Sequence, residues 1–230
     1  MVRQLVTSIG KIGFLVLLAN EVCAQSLSKA HRFNLADSTA WRVEFEFPER
    51  SLIEREGDGI LISSYGGATL WLDSLLQGDY VISYERIVLL DSGIYDRLSD
   101  LNQFWLASEP DRQAQLDQRD GKLSSYDSLR LFYVGMGGNN NSTTRFRRYD
   151  GAGNRVLLAE KNEKSYLLQP NVYYEIKTIV SHTRGFTAFY VNGKLLFMYK
   201  GSVPPVGFFG LRQTATRQKI RNFRLSPITD

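Results

Sequence analysis

The dipeptide Asn192-Gly193 most constrains what this chain can become. It stands between Phe186-Thr-Ala-Phe-Tyr-Val191 and Lys194-Leu-Leu-Phe-Met-Tyr199, two runs rich in aromatic and aliphatic residues. Asn-Gly suits a two-residue turn with positive φ at both positions, so the runs fold back on each other as an antiparallel hairpin. Near the other end, Trp41, Val43, Phe45 and Phe47 alternate with Arg42, Glu44 and Glu46, the period of a half-buried strand. Between them, Glu56-Gly-Asp-Gly59 precedes Ile60-Leu-Ile62, Gly66-Gly67 precedes Ala68 to Leu72, and Gln77-Gly-Asp79 precedes Tyr80 to Leu90. Further strand-like runs fall at 129–136, 143–149, 155–158, 173–180, 207–212 and 219–225. Short strands at such spacing predict an all-β sandwich or barrel. Helix has room only at Arg112 to Arg119.

The first residues say where the chain works. Arg3 and Lys11 precede the apolar run Ile12 to Ala19, and Val22-Cys23-Ala24 offers small residues for cleavage, the pattern of a secretory signal peptide. No stretch approaches the ~20 apolar residues of a membrane helix. The expected organisation is therefore a signal peptide, 1–24, and one domain, 25–230, secreted or periplasmic. Cys23, the single cysteine, leaves with the signal, so the mature domain forms no disulfide and depends on its apolar core. Loss of Arg3, Lys11 and Glu21 lowers the formal charge of +4 by one. That mild basic excess favours acidic ligands and does not suggest a nucleic-acid binder.

The order of the last third, an Asn-Gly hairpin, then Gly207-Phe-Phe-Gly-Leu-Arg212 and Ile220-Arg-Asn-Phe-Arg-Leu225, resembles the closing half of a concanavalin A-like jelly roll. Four further segments carry a closer likeness: Asp96 to Trp105, Tyr126 to Arg130, Tyr133 to Asn139 running into Thr143 to Tyr149, and Gly210-Leu-Arg212 with Asn222-Phe223. Through them the mature chain resembles a family of secreted bacterial jelly-roll domains of unknown function, related to the YesU type and associated with polysaccharide utilisation. The resemblance implies a two-sheet sandwich with a concave face and a role in extracellular glycan use. It supplies no catalytic residues.

Two clusters are candidates for a site. In Gly137-Gly-Asn-Asn-Asn-Ser-Thr143, glycine and Asn140 with its neighbours suit a turn. In the strand that follows, alternation places Thr143, Arg145, Arg147 and Tyr149 on one face and Phe146 towards the core. Guanidinium forks at that spacing can clamp a carboxylate or sulfate; the alternative is a solvated face, or pairing with Glu44, Glu46 or Glu85. The second cluster is Arg97, Asp100, Asn102 and Trp105, in which acid, amide and guanidinium satisfy sugar hydroxyls while an indole packs on a pyranose face. Its alternative reading puts Trp105 in the core and Asp100 in a turn cap. Tyr126 and Tyr133 complete the site or pack at its rim.

His31 and His182 stand alone, so no zinc set of familiar spacing exists. Neither a P-loop nor a GxSxG elbow occurs. No cofactor is expected, and a structural calcium ion is left open. Three functions remain. A polysaccharide lyase would act by β-elimination, with Arg145, Arg147 or Asn102 neutralising a uronic carboxylate and Tyr149 or Tyr126 as base and acid. A hydrolase would use a carboxylate pair, Glu85 with Asp100 or Glu44 with Glu46. A glycan-binding module would use the same residues as ligands only. The expected partner in each case is an oligo- or polysaccharide, anionic in the favoured reading, and elimination is placed slightly ahead of binding.

Overall fold

The computed structural model describes residues 31–32, 35, 37 and 39–228; the signal-peptide reading of 1–24 lies outside them. The strands are β1 (His31–Arg32), β2 (Trp41–Phe45), β3 (Leu52–Glu56), β4 (Gly59–Ser63), β5 (Gly67–Leu72), β6 (Leu76–Gln77), β7 (Tyr80–Val88) and β8 (Leu101–Ser108). They continue as β9 (Arg130–Gly137), β10 (Thr143–Asp150), β11 (Arg155–Glu160), β12 (Tyr173–Ser181), β13 (Phe186–Val191), β14 (Lys194–Lys200), β15 (Val206–Thr214) and β16 (Arg217–Pro227). Sheet I runs β14-β13-β12-β7-β16-β4-β3, with β1 beside β16; sheet II runs β11-β10-β9-β8-β15-β5-β2, with β6 beside β15. All pairings are antiparallel. This is an all-β sandwich, as the turn spacing predicts, with the jelly-roll form that the resemblance implies. The expected helix at Arg112 to Arg119 is absent: that stretch is a single turn, closed by the Gln115 amide on the Arg112 carbonyl, followed by irregular chain that buries Leu116 in the aromatic cluster of sheet II.

The core is aromatic. Trp105 of β8 stacks between Phe132 and Phe146 on its own sheet, each with ring centroids 5.8 Å away, and against Phe189 of sheet I at 6.2 Å. Its indole N–H donates to Thr187 Oγ1 across the sandwich at 2.9 Å, which satisfies the one polar atom that burial would otherwise penalise. Trp105 is therefore a core residue and not a sugar platform, which corrects the expectation from its segment. The core also carries polar bridges between the sheets. The Tyr84 hydroxyl donates to Gln103 Oε1, and Gln103 Nε2 donates to Thr178 Oγ1. Arg86 of β7 is fully buried, donating from Nη1 to the Asn102 carbonyl and from Nη2 to the Arg212 carbonyl, both at 2.9 Å.

Residues 109–129 form a covering segment over the outer face of sheet II. There a second aromatic cluster joins Trp71, Phe104, Tyr133 and Tyr149 of the sheet to Leu116, Tyr126 and Leu129 of the segment. Glu44, buried on β2, is the rivet. It accepts hydrogen bonds from Trp71 Nε1 at 2.9 Å, the Tyr126 hydroxyl at 2.7 Å and the Arg119 amide at 2.9 Å. Gly121 crosses so close to the backbone of Phe45 and Glu46, with φ +79°, that no side chain fits there.

Candidate functional site

Strand register lines up the polar residues of sheet II's outer face. One row crosses seven strands as Glu160, Arg145, Gly135, Asn102, Arg212, Thr69 and Glu44. The next runs Leu157, Arg147, Tyr133, Phe104, Gly210, Trp71 and Arg42. Residues opposite one another on adjacent strands point to the same face. The arginines of β10 therefore share a face with Asn102, while Phe146 and Thr144 turn inward. The covering segment closes the Glu44 side of these rows, where Arg212 Nη1 donates to Thr69 Oγ1 and the Gly121 carbonyl at 2.9 and 2.8 Å. Arg145 and Arg147 stand half-buried at the other side.

The chemistry lies in what remains unspent. Arg147 makes neither a hydrogen bond nor an ion pair with the described residues, and it sits opposite Tyr133, whose hydroxyl lies over Gly135. A Cβ at 135 would collide with that hydroxyl. Asn102 Oδ1, Arg212 Nε and the Tyr149 hydroxyl are buried without a partner, although buried polar atoms are satisfied as a rule. Burial, helped by Tyr149 and Asp100, raises the Tyr133 phenol pKa well above its ordinary value.

The other candidates divide. Arg145 pairs with Glu160 across the hairpin, and its hydrogen bond, helped by the charges of Arg145 and Arg147, keeps the Glu160 carboxyl below the usual range. Arg97 is saturated by Asp100 Oδ2, the carbonyls of Thr214 and Ala215, and Asn140 Oδ1. That clamp joins the β7–β8 loop to the turn after β9 and holds Asn140 at φ +55°. Asp100 also accepts from Ser99 Oγ and, at 3.4 Å, from Asn102 Nδ2. Thr143 bridges to Gly138 and frames the same turn. Asn102 and the β10 arginines thus share a face, and Arg97, Asp100 and Asn140 brace one end of it.

Four expectations are corrected. Glu85 lies on the outer face of sheet I, bonded to Arg221 Nε at 2.7 Å and Asn222 Nδ2 at 2.9 Å, so a Glu85–Asp100 pair would straddle the sandwich. Glu44 and Glu46 are structural acceptors, the latter taking the Gly67 amide. Tyr126, proposed as a base, spends its hydroxyl on Glu44, and burial raises its pKa. Tyr149, the other proposed base, is buried beside Tyr133 with its pKa also raised by burial. The sequence reading missed Arg212 and Gly135, which reach the site through strand pairing rather than local motif. Among the described residues no group of three or more His, Cys, Asp or Glu side chains is placed to hold a metal. No helix among them is long and apolar enough to cross a membrane.

A two-sheet jelly roll with a polar outer face is the class of protein these features define. Residues 62–223 match the model of DUF6250, a domain of unknown function, and the chain belongs to that family. A comparison with proteins of curated function gives no match. Among solved structures the chain is similar to a Bacillus subtilis protein of unknown function with a galectin-like fold, with 16% identity, TM-score 0.67, and coverage of 86% of this chain and 94% of that one. It is also similar to the Emp46p carbohydrate recognition domain in its metal-free form, at 10% identity, TM-score 0.61 and coverage of 86% and 96%. A third is the carbohydrate-binding module CBM66 from Bacillus subtilis, at 13% identity, TM-score 0.51 and coverage of 81% and 95%. At these identities the likeness is one of fold.

Proposed function

We propose that the chain is an exported glycan-binding protein that holds an acidic sugar on the outer face of sheet II, with Arg147 on the sugar's carboxylate or sulfate. The observation that carries this reading is the half-buried guanidinium of Arg147, in no ion pair or hydrogen bond with the described residues although its charge is felt by Glu160, and opposite Tyr133, with Asn102 and Arg212 carrying unspent polar atoms on the same face. A guanidinium fork matches an oxyanion through paired charge-assisted bonds. Two of the structurally similar proteins are carbohydrate-binding by name, which supports the sugar as ligand class.

Elimination is the second reading, because a phenol beside a guanidinium is the pair such a reaction uses. The raised Tyr133 pKa keeps that phenol protonated near neutral pH, with no populated phenolate to take a proton, so binding stands first. One experiment separates them. The mature protein and Arg147→Ala are titrated against polygalacturonate, heparin and neutral dextran by calorimetry, while absorbance of unsaturated uronates is followed. Binding of an acidic polymer without new absorbance, weakened by about 1.5–3 kcal/mol in Arg147→Ala, is expected. New absorbance establishes a lyase. Equal binding of dextran, or unchanged affinity in Arg147→Ala, overturns the arginine clamp.

A further inference from the structure

At the end of the sandwich away from the Arg97 clamp, a pocket of about 240 Å³ opens between β9, β10 and the loop leading to β15. Its floor is apolar, formed by the buried Leu106 and Phe132, with Pro204 at its side. Its mouth holds two exposed arginines. Arg148 lies opposite Phe132, and Arg130 lies opposite Asp150, which makes the two arginines diagonal neighbours on the inward-facing side of the strands, about 7–8 Å apart along the backbone.

Neither arginine has a carboxylate partner among the described residues. Arg148 donates to the Tyr199 hydroxyl at 3.2 Å and lies over the same ring. The nearest acid, Asp150, is spent within its own turn: it accepts from the amides of Ala152 and Asn154 at 2.8 and 3.1 Å and from Asn154 Nδ2 at 2.7 Å. Two like charges at one mouth repel each other and raise the local concentration of anions. The floor is held in an unusual backbone state. Leu106 takes φ +52° where the β8–β9 register shifts between Trp105 and Ser108, and Gly207 lets β15 pass against its backbone. A left-handed leucine is a strained residue, and such strain concentrates where a cleft is shaped for a ligand.

We propose that this pocket is a second binding site, for a small carboxylate with an apolar body, held by Arg130 and Arg148 at its charged end and by Leu106 and Phe132 along its length. Hydroxyl-rich acids fit it poorly, since the only hydroxyl-bearing residues in its lining are Ser202 and Tyr149, and the Tyr149 ring belongs to the aromatic cluster on the outer face of sheet II. The inference is independent of the sugar-binding face.

The test is titration of the full mature chain with sodium benzoate, benzamide and glucuronate at low salt, by calorimetry or amide chemical shifts, with Arg130→Gln, Arg148→Gln and the double variant alongside. Benzoate should bind at least tenfold more tightly than benzamide or glucuronate, and each single variant should weaken it at least fivefold. Both side chains are exposed, so the variants should melt as the parent does. Failure of benzoate to bind overturns the proposal. So does equal binding of benzamide or glucuronate, or unchanged benzoate affinity in a folded double variant.

Discussion

Arg86 offers the sharpest test of how the core supports the face above it. Its guanidinium is fully buried and hydrogen-bonded to the carbonyls of Asn102 and Arg212, adjacent residues in the row that floors the site. No carboxylate touches it, and burial pushes its pKa from 12.5 down to about 10. A depression of that size corresponds to roughly 3 kcal/mol of unfavourable charge burial. Arg86→Met keeps most of the volume and removes that charge, returning roughly 3 kcal/mol, while two orphaned carbonyls cost about 1–3 kcal/mol each. The balance is a net loss near 1 kcal/mol. Arg86→Ala leaves a cavity as well, which adds on the order of 2–4 kcal/mol. Urea midpoints should therefore rank parent, Met, Ala. Affinity for the acidic polymer should fall several-fold in Arg86→Met under conditions where it is fully folded, because Asn102 and Arg212 lose their anchor. A Met variant more stable than the parent by over about 1 kcal/mol, with affinity unchanged, would show that the buried charge is tolerated rather than used.

Other consequences concern the site and the pH range. Gly135→Ala should displace the Tyr133 hydroxyl and weaken glycan binding at least fivefold, with a stability loss below about 1.5 kcal/mol since the collision is with the end of one side chain and not with backbone; intact affinity would remove Tyr133 from the ligand's path. Burial raises the phenol pKa values of Tyr80, Tyr84, Tyr126 and Tyr133 above the ordinary 10.0. Their stabilising contribution is complete below that pH and is lost as pH climbs past it. Arg86, depressed rather than raised, has the opposite slope there, but one group against these four, with Tyr149 and Tyr174 raised by burial as well, leaves a net decline. Urea midpoints that stay level from pH 9 to 11 would contradict it, with those limits chosen roughly to bracket the ordinary tyrosine value. On the acid side, burial pushes Asp79 and Asp96 up but is outweighed. Ser181 and Thr183 hold Asp79 below 3.8, while the amides of Asp91 and Gly93 and the charge of Arg217 hold Asp96 there. Their contribution is present above about pH 4 and lost as pH falls through the lower folded values; Asp79→Asn should flatten that limb of the stability curve.

How far the sequence exposes this site depends on which contacts are local. The β13–β14 hairpin was legible because Asn192-Gly193 is a turn signal with a geometric cause, and β10 because Phe146 breaks an otherwise polar run at period two. That parity correctly set Arg145, Arg147 and Tyr149 together on the face away from Phe146. β8 was not legible as a strand. Every residue from Leu101 to Ser108 is buried, since the core covers one face and the 109–129 segment covers the other, so no alternation of polarity marks it. Read only as a cluster of neighbouring groups, it offers Asn102 and Trp105 to one ligand. Read as a strand, three residues of separation put them on opposite faces, and that alone sends Trp105 into the core. Glu85 fails for a different reason: its strand was visible, but nothing local says which sheet β7 joins. Arg212 is the extreme case, brought beside Asn102 only by the β8–β15 pairing across more than a hundred residues. Residues of one hairpin, such as Gly135 and Arg145, can be matched from turn and period. The partners that complete the row come from strands whose neighbours are chosen by how two aromatic layers close over each other, and that choice is not written in any short stretch of chain.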